Sequence, residues 1–429
     1  MDKVNIFTLG CSKNRVDTEV LIKQLQENGF VVDHESPEND HDIIIINTCG
    51  FIGDAKEESI DTILNFCEAK NQGLISKVLV FGCLSERYKD ELISEIPEVD
   101  GWFGKFELEN MLDFLGSKTL TNLTPVRTLT TPSHYAFLKI SEGCDRTCSF
   151  CAIPNITKGH KSRPMEGLVE EAKQLINQGV KEIILIAQDL SYYGIDLYKK
   201  QMLAPLMEEL AQLKGLEWLR IHYTYPAHFP YAILPVMAKY NNVCNYMDIA
   251  LQHISDNMLK IMRRNISKEE TYKLIERFRT EVPGMALRTT LLVGHPGETD
   301  EDFEELKQFV QDVKFERLGV FAYSHEEDTY SYNNYSDEID QNIKDKRVEE
   351  IMELQQQISL THNRNKIGKT FKVIVDRQEG QYFIGRTEHD SPEVDGEVLI
   401  SAKKPLIMGN FYAINIVDAD EYDLYGEPV

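Results

Sequence analysis

Three cysteines stand in one short stretch, Gly143-Cys144-Asp145-Arg146-Thr147-Cys148-Ser149-Phe150-Cys151, at the spacing Cys-x3-Cys-x2-Cys. A loop of that length can turn three thiolates toward one centre, and soft sulfur donors favour an iron–sulfur cluster or zinc. A structural zinc site is normally closed by four ligands, for which His160 is the nearby candidate. A four-iron cluster on three protein thiolates instead leaves one iron open to a small molecule. Three further cysteines, Cys11, Cys49 and Cys83, fit no local motif, yet each directly follows a stretch that reads as strand. In a parallel sheet all three emerge at the same carboxyl edge, where open α/β domains bind ligands. Gly10, Gly50 and Gly82 beside them permit close backbone approach. This second triad reads either as another cluster site or as three buried thiols. Cys67, inside a helical pattern, and Cys244, before a strand, read as core thiols.

The elements that must position these residues follow from the hydrophobic pattern. In residues 1–118, aliphatic runs at 4–9, 43–47 and 77–81 alternate with helical stretches, which predicts an open parallel α/β domain covered on both faces. Residues 119–132 are rich in Thr, with Pro125 and Pro132, and read as a linker. Residues 133–365 carry six candidate strands, at 135–140, 182–188, 218–223, 246–251, 286–293 and 317–323. Helical patterns separate most of them, as at 164–178 and 267–280. Six successive β-α units fit a partial parallel barrel better than a flat dinucleotide fold, and no Gly-rich fingerprint follows any strand. An amphipathic helix at 342–365 trails the barrel. Residues 366–429 hold short β segments with Gly turns, which predicts a small antiparallel barrel.

Composition narrows the classes. The 429 residues carry 46 basic and 70 acidic side chains, a formal charge of −24, which is a poor surface for wrapping nucleic acid. The longest aliphatic run, Ile43–Ile46, is far short of a membrane span, and the N-terminus shows no signal segment. The expectation is a cytoplasmic protein whose cysteines are metal ligands or buried thiols rather than disulfides.

Cys-x3-Cys-x2-Cys after the first strand of a six-unit barrel resembles the radical S-adenosylmethionine superfamily. Together with the three dispersed cysteines and the C-terminal barrel, it resembles the methylthiotransferases, whose third part is called TRAM. Three stretches are similar to the branch acting on a ribosomal protein, the RimO family: residues 9–17 (Leu9-Gly10-Cys11-Ser12-Lys13-Asn14-Arg15-Val16-Asp17), 140–144 and 385–396. Ser12 departs from the family's usual proline. The resemblance implies two four-iron–four-sulfur clusters, one on Cys144, Cys148 and Cys151 and one on Cys11, Cys49 and Cys83. It implies that S-adenosylmethionine supplies both a 5′-deoxyadenosyl radical and a methyl group. The implied product is a methylthio group on the β-carbon of an aspartate in small-subunit ribosomal protein twelve. A reductant protein and a sulfur donor are implied partners. The competing readings are the same chemistry on a transfer-RNA adenosine, and a non-catalytic iron–sulfur or zinc protein.

From Lys366 onward there are seven basic and twelve acidic residues, which counts against RNA and suits a cationic protein tail. Strand ends are the usual place for ligand contacts in a barrel. The resemblance places Gln188 and Asp189 near the methionine amino end of the cofactor, and offers Arg288, with Thr290 on the same strand, as a partner for its carboxylate. Gln252 and His253 end the fourth strand. Each of these reads equally well as a satisfied polar group. Thr299 with Asp302 can cap the next helix, and Lys158, Lys161 and Arg163 read as a solvated face.

Overall fold

A computed structural model of the chain describes residues 2–38, 40–120 and 127–429. The aliphatic runs of the first third are strands buried on both faces, as their composition requires. β1 (Lys3–Thr8), β2 (Val31–His34), β3 (Ile43–Thr48), β4 (Lys77–Gly82) and β5 (Gly101–Trp102) form a parallel sheet in the order β2-β1-β3-β4-β5. Helices α1 (Ser12–Glu27), α2 (Gly53–Asn71) and α3 (Cys83–Glu95) follow β1, β3 and β4. Ile43 and Ile45 pack with Leu21 and Leu25 on one face, Ile44 and Ile46 with Ile63 and Cys67 on the other. The short strands β2 and β5 were not expected, because they carry too few apolar residues to show a period.

The second body starts with β6 (Tyr135–Lys139). A small hairpin of β7 (Ser141–Glu142) and β8 (Lys161–Ser162) closes the base of the cysteine loop. β9 (Glu182–Ile186), β10 (Trp218–Ile221), β11 (Tyr246–Gln252), β12 (Ala286–Val293) and β13 (Arg317–Ala322) complete six parallel strands. They form two three-stranded sheets, β6-β9-β10 and β11-β12-β13, joined by isolated bridges such as Leu219–Val243. The barrel is therefore open between β6 and β13. Helix α1 fills the β6 side, where Val16 packs with Tyr135, Phe137, Ile184 and Ile186. The long helix Gln341–Arg364 lies along β13. Thr299 and Asp302 form the expected reciprocal cap of the helix Asp300–Val313.

The third body is a closed barrel of β14 (Thr370–Glu379), β15 (Tyr382–Arg386), β16 (Val398–Ile400), β17 (Phe411–Ala419) and β18 (Leu424–Pro428), in the order β14-β15-β16-β18-β17. It is not wholly antiparallel, since β16 and β18 run parallel. An odd number of strands cannot alternate direction around a closed ring, so one parallel pair is required.

Of the expected linker, residues 121–126 lie outside the described residues. Arg127, just after them, is no part of a free tether: its buried guanidinium joins Glu19 of α1, Glu171 and the Phe137 carbonyl. The loop of residues 387–396 in the third body plugs the amino-terminal mouth of the six-stranded barrel. Asp395 accepts from Tyr246 (2.7 Å) and Arg288 (3.3 Å), Glu393 from Tyr135 (2.9 Å), and Ser391 Oγ lies 2.7 Å from His222 Nε2. Asp390 pairs with Arg317, and Glu182 pairs with both Arg220 and Arg386 at 2.8 Å. Much of this barrel's acidity is thus spent on arginines of its own chain, which narrows the expectation that it offers a free acidic face.

Candidate active site

The two cysteine triads reach the site by different routes. Cys11 is the N-cap residue of α1, Cys49 follows β3, and Cys83 opens α3. The parallel sheet brings these three strand ends to one edge. Gly10, at φ +87°, has no room for a side chain: a Cβ there would lie 2.8 Å from the Cys49 Cβ and 2.9 Å from its Sγ. Asn14 ties the edge together. Its amide donates to the Leu9 and Thr48 carbonyls at 3.0 Å each, and its oxygen accepts from the Cys83 thiol at 3.6 Å. Burial pushes the Cys11 thiol up, but Lys13, the Asn14 N–H and Lys105 outweigh it and leave Cys11 below the usual thiol range. Burial pushes Cys49 up, and Cys83 up to about 12.

The second triad is local. Cys144, Cys148 and Cys151 occupy the loop between β7 and β8. The Arg146 N–H donates to Cys144 Sγ at 3.4 Å, and Arg264 Nη1 to Cys148 Sγ at 3.1 Å. The Tyr225 hydroxyl is 3.5 Å from Cys148 Sγ, and the guanidinium groups of Arg146 and Arg264 each sit 4.2 Å from the Tyr225 ring centroid. Ser149, between the ligand positions, is anchored to His295 Nε2 at 3.0 Å. Burial holds Cys144 and Cys151 up at about 12, so as free thiols they stay protonated until a metal takes them. Three thiols with N–H and guanidinium donors aimed at sulfur fit a cluster held by three protein ligands. Among the described residues no three His, Cys, Asp or Glu side chains stand close enough to hold a single ion. His160, the fourth ligand considered for zinc, gives its Nε2 to Ser162 Oγ at 3.0 Å and packs edge-on against Tyr192.

One thiol of the first triad reaches the segment that follows the second. Cys83 packs against Ala152, the residue after Cys151, and against Ile156. A network of two lysines and two carboxylates joins the same bodies: Lys105 pairs with Asp17 (3.1 Å) and Glu142 (3.7 Å), and Lys139 with Asp17 and with Glu142 (2.8 Å). The inward positions Lys139, Gln188, Tyr223, Gln252 and Thr290 keep partial access, while the alternate positions Leu138, Ala187, Leu251, Thr289 and Leu291 are buried. Tyr223 and Gln252 hold left-handed backbone (φ +63° and +73°), a strained conformation that clusters at functional sites. A cavity of about 620 Å³ opens here between Phe51–Asp54, which follow the Cys49 turn, and Phe150, Gln252, Thr290 and Phe321.

Of the expected cofactor contacts, Thr290 lines this cavity, and Gln188, at the same mouth, donates to Glu142. Asp189 is engaged by Arg146 (2.7 Å) and the Ser191 N–H (2.8 Å). Arg288 is placed differently from the expectation. It lies near the amino end of β12, where Asp248 (3.0 Å) and Asp395 hold it at the plugged mouth, away from the cysteines. Cys67 and Cys244 are buried core residues. Asn14, Lys13, Lys105, Arg146, Arg264 and Tyr225 were not anticipated. Lys13 and Asn14 sat in the quoted motif after Cys11, and Arg146 sat between the loop cysteines; the others carry no local signal.

Comparison with known proteins agrees with this three-body arrangement. Residues 138–310 match the radical SAM superfamily, residues 3–104 an uncharacterized protein family, UPF0004, and residues 367–429 the TRAM domain. The chain is 58% identical to a Phocaeicola vulgatus protein described as ribosomal protein uS12 methylthiotransferase RimO, over 98% of each chain. It is also 58% identical to the Bacteroides thetaiotaomicron protein of that description, over 99% of this chain and 98% of the relative. Among solved structures it resembles the radical S-adenosylmethionine methyltransferase TsrM of Kitasatospora setae, with TM-score 0.55 and 14% identity over 75% of this chain and 73% of that one. That last likeness speaks to fold alone.

Proposed function

The chain belongs to the RimO family of ribosomal protein uS12 methylthiotransferases, within the radical SAM superfamily, and from that premise we propose that it replaces a β-carbon hydrogen of one uS12 aspartate with a methylthio group. The observation that supports this reading is the contact of Cys83 with Ala152, the residue after Cys151, between the sheet edge of the first body and the cysteine loop of the second. Cys144, Cys148 and Cys151 would hold one four-iron–four-sulfur cluster, and Cys11, Cys49 and Cys83 a second. When bound, the first with S-adenosylmethionine supplies hydrogen abstraction, and the second supplies or carries the sulfur. The chain's own residues do the rest. Arg264 donates to Cys148 Sγ and the Arg146 N–H to Cys144 Sγ, which orients both loop sulfurs. Asn14 fixes the three strand ends of the other triad. The Asp17–Lys105–Lys139–Glu142 network holds the two bodies in register. A reductant protein and a sulfur donor complete the reaction.

Anaerobic reconstitution should give about eight irons per chain, two four-iron clusters, and reductive release of 5′-deoxyadenosine. The mass of uS12 from cells with and without the gene tests the substrate. Loss of a methylthio group from a transfer-RNA nucleoside alone would overturn the uS12 reading.

A further inference from the structure

Lys13 is a cation with no salt-bridge partner among the described residues. It projects from the first turn of α1, two residues after Cys11, and is 9% exposed. Its ammonium lies 3.6 Å from the centroid of the ring of Tyr223, which follows β10 at the carboxyl-terminal end of the barrel strands. Its neighbours are engaged: Lys105 with Asp17, Lys139 with Glu142, Arg146 with Asp189, and Arg264 with Cys148 Sγ and the Ala250 carbonyl. A largely buried ammonium resting on an aromatic face is costly unless an anion completes its surroundings.

Two anions compete for that role. One is the thiolate charge of the Cys11 triad, and the other is a carboxylate entering the barrel mouth. The first asks only for positive charge near sulfur, which Lys105 also supplies. The second explains why Lys13, besides lying near Cys11, rests on Tyr223 of the barrel. Resting on the uS12 reading, we propose that Lys13 is the specificity-determining residue that grips the side-chain carboxylate of the target aspartyl residue. That grip would place the β-carbon between the two triads and distinguish an aspartyl from an asparaginyl side chain, which has the same shape without the charge.

The test is equilibrium binding, under anaerobic conditions, of reconstituted enzyme to uS12 and to uS12 with the target aspartate replaced by asparagine. The wild-type enzyme should prefer the aspartyl form by about 10- to 100-fold, the range of a charged hydrogen bond. Lys13→Met should erase that preference by weakening only the aspartyl complex, and Lys13→Arg should retain most of it. Iron content and the visible absorption of the same samples report the cluster separately. A wild-type preference below threefold overturns the proposal whatever the variants do. So does a Lys13→Met enzyme that keeps the preference, or that weakens both complexes equally while losing iron, the pattern of a residue that only balances cluster charge. A wild-type enzyme that neither binds nor modifies uS12 would unseat the uS12 reading itself, and this inference with it.

Discussion

The two mouths of the six-stranded barrel are built from the same kinds of residue and put to opposite use. At the amino-terminal mouth Arg220, Arg288, Arg317 and Arg386 each meet a carboxylate of the chain, and His222 meets Ser391. At the carboxyl-terminal mouth the six cysteines gather, inward side chains keep partial access, and Lys13 lacks an ion-pair partner among the described residues. Satisfied polar networks make a structure rigid, and unsatisfied ones mark where a ligand belongs. The difference locates function at one end and stability at the other.

Four changes would break or sharpen that contrast. Cys148→Ala at the open mouth should abolish both methylthiolated uS12 and 5′-deoxyadenosine, while the stability of the metal-free protein to urea moves by less than about 1 kcal/mol. Asp395→Ala at the plugged mouth should do the reverse. It leaves the Tyr246 hydroxyl and the Ser391 N–H without their acceptor and Arg288 with Asp248 alone, costing about 1–3 kcal/mol in urea denaturation, with iron content unchanged. Stability left intact there would erase the distinction. Arg264→Ala removes the donor to Cys148 and should lower iron retention or turnover about 10- to 100-fold, as loss of a ligand's supporting hydrogen bond does.

The smallest effect is one of pH. Burial holds His222 down at about 3, so it stays neutral in the fold, with its Nε2 hydrogen-bonded to Ser391 Oγ. In the unfolded chain its pKa is about 6.5, so below that value the unfolded state takes up the proton first. The stabilising contribution is present above about pH 6.5 and is lost progressively as pH falls toward 3. Between pH 7 and 5.5 the native enzyme should lose about 1 kcal/mol that His222→Gln does not. Equal slopes for the two proteins in denaturant titrations would remove His222 from the plug's account.

How much of this was legible depended on distance along the chain. Cys144, Cys148 and Cys151 declare themselves because a single loop carries their spacing. Cys11, Cys49 and Cys83 could be brought together only through topology, by seeing that each follows a strand of one parallel sheet. The residues that serve the sulfurs were harder. Arg264 reaches Cys148 across 116 positions, and Tyr225 across 77. Arg288 looked like a ligand contact because strand ends attract ligands, but its place in β12 sets it at the amino-terminal end, where Asp395 arrives from another body. Side-chain partners contributed by a separate fold leave no period or spacing to read.

One consequence concerns helix α1. Its first turn carries Cys11 and Lys13, its middle packs Val16 on the barrel wall, and Arg15 reaches Glu393 of the plug at 3.1 Å. A single rod is thus clamped to all three bodies at once. Any swing that brought one triad toward the other would have to tear out that rod and uncork the far end. The distance between the two triads is therefore a fixed span, set by the scaffold.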